Sequence, residues 1–181
     1  MERPTLVDTV LFSSDSTEHG TPDALYAALD GEFRFDLDAA ASETNRKSRR
    51  WLEGPCVNTY AGHACGCGLC ADWMEYTVFV NPPYGRKLSF SWVKKCWTAS
   101  TQGATVVALL PARTDTEWFH RFVLLASEIR FICGRLTFIG NEDSAPFPSM
   151  VVVWRPTAGR RGRPLVPQIA SMNRQGVLID A

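Results

Sequence analysis

The run Thr77-Val78-Phe79-Val80 is β-branched and aromatic at every position, and Asn81-Pro82-Pro83-Tyr84 stops it abruptly. A strand with one wet face alternates polar and apolar residues, whereas a continuous run fits a strand covered on both faces. Two prolines supply no N–H and fix φ, so the ladder has to end there. Thr105–Leu110 and Met150–Trp154 are continuous apolar runs of the same kind.

Helical periods lie between these runs. Thr21-Pro22 opens a helix with Leu25, Ala28 and Leu29 on its apolar face and Gly31 at its end. Ser89 to about Ser100 carries Phe90, Val93 and Trp97 on one face, and Thr114-Asp115 can cap a third helix with Trp118, Phe122 and Leu125 inward. Phe33, Phe35 and Leu37 alternate as a strand that closes on Asp36-Leu37-Asp38, before the small-residue run Ala39-Ala40-Ala41-Ser42. Ile129–Ile132 and Leu136–Ile139 are expected to form an antiparallel hairpin about Cys133-Gly134 at one sheet edge. Strands alternating with helices imply a three-layer, Rossmann-like α/β fold with a mainly parallel sheet. Residues 1–155 are expected to form one domain, and the Pro-, Gly- and Arg-rich residues 156–181 a C-terminal tail.

The 181 residues, 45% hydrophobic and 21% charged, suffice for one core and exclude a disordered chain. Formal net charge is +0, so a nucleic-acid partner would have to be held by local basic patches. Asn45–Arg50 and Arg155–Arg163 are such patches, and each also reads as a solvated face or tail. No run approaches the roughly 18 apolar residues of a membrane helix. Met1-Glu2-Arg3-Pro4 has no signal-peptide core, so a cytoplasmic protein with reduced cysteines is expected.

In open α/β sheets, ligands sit beyond the carboxyl ends of the strands, where Asp36–Ser42 and Asn81–Tyr84 fall. Pro82 and Pro83 leave carbonyls free as acceptors in a rigid loop. Asn81 adds a side-chain oxygen and an amide donor. The Asn81 oxygen and the Pro82 carbonyl can together hold both hydrogens of one amino group, and Tyr84 offers a face for a planar ring. The residues alone thus describe a site for a planar amine that needs no general base. A plain Pro-Pro strand stop with a packing tyrosine is the other reading.

Asn81-Pro82-Pro83-Tyr84 after a hydrophobic strand resembles the catalytic motif of S-adenosylmethionine-dependent amino-methyltransferases. The ordered set Thr21-Pro22, Phe35–Ser42, Asp72-Trp73, Asn81–Tyr84, Leu110–Asp115 and Gly134–Phe138 resembles the phage-type, Dam-like DNA N6-adenine methyltransferases over roughly residues 12–154. That resemblance implies a methyl transfer from S-adenosylmethionine to adenine N6 in double-stranded DNA. The base would be rotated out of the duplex, stacked on Tyr84 and held by Asn81 and Pro82. It further implies that Asp38, Ala39 and Ala40 form the cofactor motif at the first strand's end, although no Gly-x-Gly follows. Thr21 and Pro22 would line the cofactor pocket, and Asp72 would accept from the cofactor's adenine amino group. Thr21 could instead cap a helix, Asp38 end a turn, and Asp72 be a loop carboxylate. Arg135 and Phe138, with Phe147, are candidates to touch DNA, the phenylalanines being equally suited to a core. A phage origin would put the protein in the host cytoplasm.

Two other features carry alternatives. Cys56, Cys65, Cys67 and Cys70, with His63 among them, could close a structural zinc site, or be four reduced thiols in an irregular loop. Gly54-Pro55-Cys56 superficially resembles the Pro-Cys of cytosine C5 methyltransferases, but an exocyclic amine needs no thiolate nucleophile. Competing functions are a protein glutamine methyltransferase, which also presents Asn-Pro-Pro-Tyr to a planar amide, cytosine N4 methylation, and a zinc-dependent nucleic-acid-binding module without catalysis.

Overall fold

The computed structural model describes residues 19–54, 67–156 and 166–179. Its elements are α1 (Asp23–Phe33), β1 (Leu37–Ala41), β2 (Trp51–Glu53), β3 (Thr77–Val80), α2 (Arg86–Thr101), β4 (Thr105–Pro111), α3 (Glu117–Phe122) with a 3₁₀ turn Val123–Leu125, β5 (Glu128–Ile132), β6 (Ser149–Trp154), β7 (Gln168–Met172) and β8 (Leu178–Ile179). The strands form one 8-stranded sheet in the order β2-β1-β3-β4-β6-β5-β7-β8. β1 pairs in parallel with β2 and β3, β3 with β4, and β5 with β7. β6 runs antiparallel to both β4 and β5, and β8 antiparallel to β7. This is a mainly parallel, Rossmann-like α/β architecture of the kind that the alternation of runs implies.

Successive residues of the central strands feed opposite layers. Val78, Val80, Val106, Ala108, Met150 and Val152 enter the core beneath α2 and α3. Phe79, Val107, Leu109, Val151 and Val153 enter the one beneath α1. Both faces are covered, which is why these strands read as unbroken apolar runs. Each fully buried Val or Leu contributes roughly 1.5–3 kcal/mol relative to exposure, so β3, β4 and β6 form the stable frame on which the strand-end loops stand.

Several expected elements differ. α1 runs through Gly31 to Phe33 and ends at Arg34, which adopts a left-handed φ of 57° and donates its amide to Asp30 O. Phe33 and Phe35 therefore pack as stacked rings, centroids 6.0 Å apart, and the strand is Leu37–Ala41 instead. Gly68 packs directly on the β1 backbone, since a Cβ there would lie 1.8 Å from the Ala39 carbonyl oxygen. α2 buries Trp92, Val93, Cys96 and Ala99, while Phe90 and Trp97 flank that stripe and pack on Phe122. α3 begins at Glu117 behind Thr116 rather than at Thr114-Asp115, and Leu125 is 38% exposed rather than in the core.

Leu136–Ile139 is no ladder strand. Leu136 and Phe138 turn into the α1 layer, Leu136 O accepts the Ala145 amide, and Ile139 forms an isolated bridge with Gly20. The antiparallel edge hairpin is formed by β7 and β8, inside the segment expected to be a tail. Residues 157–165, which hold most of the second basic patch, lie outside the described residues. No helix among the described residues is long and apolar enough to cross a membrane.

Candidate active site

The carboxyl ends of β1 and β3 and the segment entering α1 converge on one cavity. Asp38 and Ala40 line it from β1, Asn81, Pro82 and Pro83 from the turn after β3, and His19, Gly20 and Thr21 from the entering segment; Asn45 and Lys47 add a wall from the loop after β1. A crossover reverses beside β1, so this is the ligand-binding edge of an open α/β sheet.

Asp38 is 3% exposed. Leu37 and Ala39, its neighbours along β1, enter the α2 layer, so alternation turns the carboxylate the other way. Its Oδ2 accepts the Lys47 amide at 3.0 Å. Burial raises its pKa to about 6, and the Lys47 and Ala40 amides and the Lys47 charge oppose that rise. The Lys47 ammonium pairs with Asp23 in the first turn of α1. Asn45 closes the loop, its Oδ1 accepting the Ser42 amide at 2.6 Å.

Asn81 is held from three sides. Its Nδ2 donates to the His19 carbonyl at 2.5 Å and to Thr21 Oγ1 at 2.9 Å, while Tyr84 Oη donates to its Oδ1 at 2.9 Å. An amide oxygen has two lone pairs, so one acceptor site remains on Oδ1. The Tyr84 ring is partly exposed, but its hydroxyl is enclosed and burial pushes its pKa well up, so it stays a neutral donor. The site uses Thr21 as a partner of Asn81: no side-chain bond caps α1, whose N-cap position is Pro22.

Not every expected site residue reaches the cavity. Asp72 is exposed, its Oδ1 accepting the Met74 amide in a local turn, and it does not line the cavity. Ala39 packs in the α2 core, and neither Pro22 nor Tyr84 lines the cavity. Arg135 is exposed on the loop after β5. Phe138 is 2% exposed and so offers no free surface; its ring lies beside His19, Tyr84 and Phe147. Of the cysteine cluster, Cys56, Cys65 and His63 lie outside the described residues, Cys67 is buried and Cys70 exposed. Among the described residues no group of three or more His, Cys, Asp or Glu side chains gathers as a metal site, and zinc gains no support.

His19, Asn45 and Lys47 had no place in the motif set. Asn45 and Lys47 sit in a run that reads as basic surface, and the legible cue was their position just after the strand end bearing Asp38. His19 directly precedes Gly20 and the Thr21-Pro22 element.

The donor set fits S-adenosylmethionine. A buried carboxylate faces the cavity beside a hydroxyl and a carboxamide, which are partners for a cationic amino acid group and for ribose hydroxyls.

Comparison with known proteins agrees. The profile of the family described as DNA N-6-adenine-methyltransferase (Dam) matches residues 10–178. The chain is 34% identical over 139 residues to the DNA N-6-adenine-methyltransferase of Haemophilus phage HP1 (strain HP1c1), covering 74% of each chain. It is also 34% identical over 127 residues to that of Escherichia phage T1, covering 67% of this chain and 48% of the relative. With the cavity at the ends of β1 and β3, these matches place the chain in the Dam family of DNA N6-adenine methyltransferases.

Proposed function

We propose that this Dam-family enzyme methylates N6 of an adenine rotated out of double-stranded DNA and held by Asn81 and Pro82 against Tyr84. The observation that carries the reading is the three-sided fixation of Asn81, which presents one free acceptor site of Oδ1 beside the cavity. An extrahelical base is required because the amino group is unreachable within the stack. When bound, S-adenosylmethionine supplies an electrophilic methyl group. Asp38 and Thr21 would bind its polar groups, with Lys47 holding the loop that covers Asp38.

Asn81 and the Pro82 carbonyl orient the amino group by accepting its two hydrogens, which leaves the nitrogen lone pair directed away from them. Positioning supplies most of the rate, and the nitrogen's surplus proton passes to water after transfer. Burial keeps Tyr84 from ionising, so it serves as a stacking plate and a donor to Asn81 rather than as a base. Arg135 would contact the phosphate backbone from the exposed loop after β5. Tritiated methyl transfer to unmethylated plasmid, followed by nucleoside analysis, tests the reading. Label in N6-methyladenine is expected; label in a cytosine derivative, or in protein glutamine only, refutes it.

A further inference from the structure

The Tyr84 ring, against which the base would stack, is already in contact with another ring. The His19 imidazole lies with its centroid 5.1 Å from the Tyr84 ring at an interplanar angle of 33°, and 4.9 Å from Phe138 at 37°. Phe147 closes a third side, edge-on at 6.1 Å. These are ring-contact distances, and Tyr84 and Phe138 themselves meet edge-on with centroids 6.1 Å apart. Burial lowers the His19 pKa, so the ring is a neutral plate.

Main chain and side chain of His19 are held very differently. The carbonyl accepts from Asn81, and the next residue bridges Ile139, whose amide reaches Gly20 O at 2.7 Å. A Cβ on Gly20 would come within 2.9 Å of the Ile139 Cβ, so the two backbones are in close contact. Among the described residues, the ring meets its aromatic neighbours and a long 3.4 Å contact from Asn141 Nδ2 to Nδ1. It can change rotamer without disturbing the backbone that positions Asn81.

We propose that His19 is a stand-in for the target adenine: its imidazole fills the base's stacking place in the free enzyme and rotates out when the flipped base enters. This rests on the reading that Asn81, Pro82 and Tyr84 hold the target adenine. The cost is a lowered apparent affinity for DNA, because only the fraction with the ring displaced can accept a base.

The test is steady-state methylation of unmethylated plasmid by wild type, His19→Ala and His19→Trp, with S-adenosylmethionine affinity measured by calorimetry. His19→Ala removes the competitor but not the main-chain bond to Asn81. It should lower KM for DNA about 3–10-fold, while His19→Trp should raise KM. A higher KM, a large fall in kcat, or lost cofactor affinity in His19→Ala would make the ring a fixed wall of the site and overturn the proposal. Should His19→Ala not fold, wild-type NMR decides, using a duplex carrying the site mapped on the plasmid. The His19 Cε1–H resonance must leave its ring-shifted position as duplex is added, and an unmoved resonance overturns the idea. Absence of any transfer by wild type would instead refute the proposed function itself.

Discussion

The Tyr84 hydroxyl donates to Asn81 Oδ1 at 2.9 Å, closing the turn made by Pro82 and Pro83. In the proposed mechanism, the residue that would grip the amino group is therefore oriented by the residue that would stack its ring. Tyr84→Phe keeps the ring and removes the hydroxyl. A single lost hydrogen bond corresponds to a fall in kcat of roughly 2–10-fold. Asn81→Ala removes the acceptor itself and should cost ~10²-fold or more, with cofactor affinity preserved. Single-turnover rates and calorimetry check both, and near wild-type transfer by Asn81→Ala would refute its role.

If Asp38 binds the cofactor as proposed, that binding should depend on pH. Burial raises its carboxyl to about 6, so in the free protein it holds its proton over a range where an unfolded aspartate has lost it. The folded state binds more protons there, and this residue's contribution to stability falls as pH rises from about 4 to about 6, then levels off. A cationic ligand group requires the carboxylate. Affinity for S-adenosylmethionine should thus climb between about pH 5 and 7 and then plateau. Asp38→Asn should flatten the climb and lower the plateau; a wild-type profile already flat across that range contradicts the assignment.

Arg130 on β5 is 2% exposed and bonds both oxygens of Glu32 on α1, at 2.6 Å each, as well as Glu128. Its removal leaves two carboxylates facing each other over Phe33. Breaking a fully buried pair costs about 3–5 kcal/mol; Glu32 is partly exposed and screened, so Arg130→Met should cost about 2–3 kcal/mol. Urea unfolding measures this, and a variant as stable as wild type would show the network to be dispensable.

Gly68 lies over β1, where a Cβ would overlap the Ala39 carbonyl oxygen and come within 2.6 Å of Trp92. Backbone has to move, so Gly68→Ala should destabilise by about 1–3 kcal/mol and displace the strand bearing Asp38. Weakened cofactor binding should accompany the lower Tm. A stability loss with unchanged affinity would confine the effect to the α2 layer.

Arg135 is exposed, with a backbone fixed by its neighbour Gly134 at a φ of 84°. If it contacts a phosphate, Arg135→Ala should weaken binding to all DNA sequences and reduce the slope of log K against log salt by about 0.9. Altered site preference with an unchanged slope would point to base contact instead.

Local chemistry made part of this protein legible in its sequence. Unbroken apolar runs announced β3, β4 and β6 as strands buried on both faces. The paired prolines fixed where β3 ends, and Asn81 with Tyr84 suggested a site for a planar amine. These properties depend on a few consecutive residues, and neighbours in the chain express them directly.

Tertiary structure decided what depends on distant partners. Arg34 alone, turning left-handed, moved the boundary between α1 and β1. β7 and β8 carry weak, largely exposed patterns and exist as strands because β5 supplies a ladder for β7. Asp72 had the residue type for a ligand contact, but its loop leaves it capping Met74. Asn81 takes its orientation from His19 and Thr21, about sixty positions earlier, and the ring of His19 covers Tyr84 only because Gly20 is pinned to Ile139. The sequence alone determined which groups could hold an amine. Long-range packing determined which of them meet, because such contacts depend on chain crossings that no local period encodes.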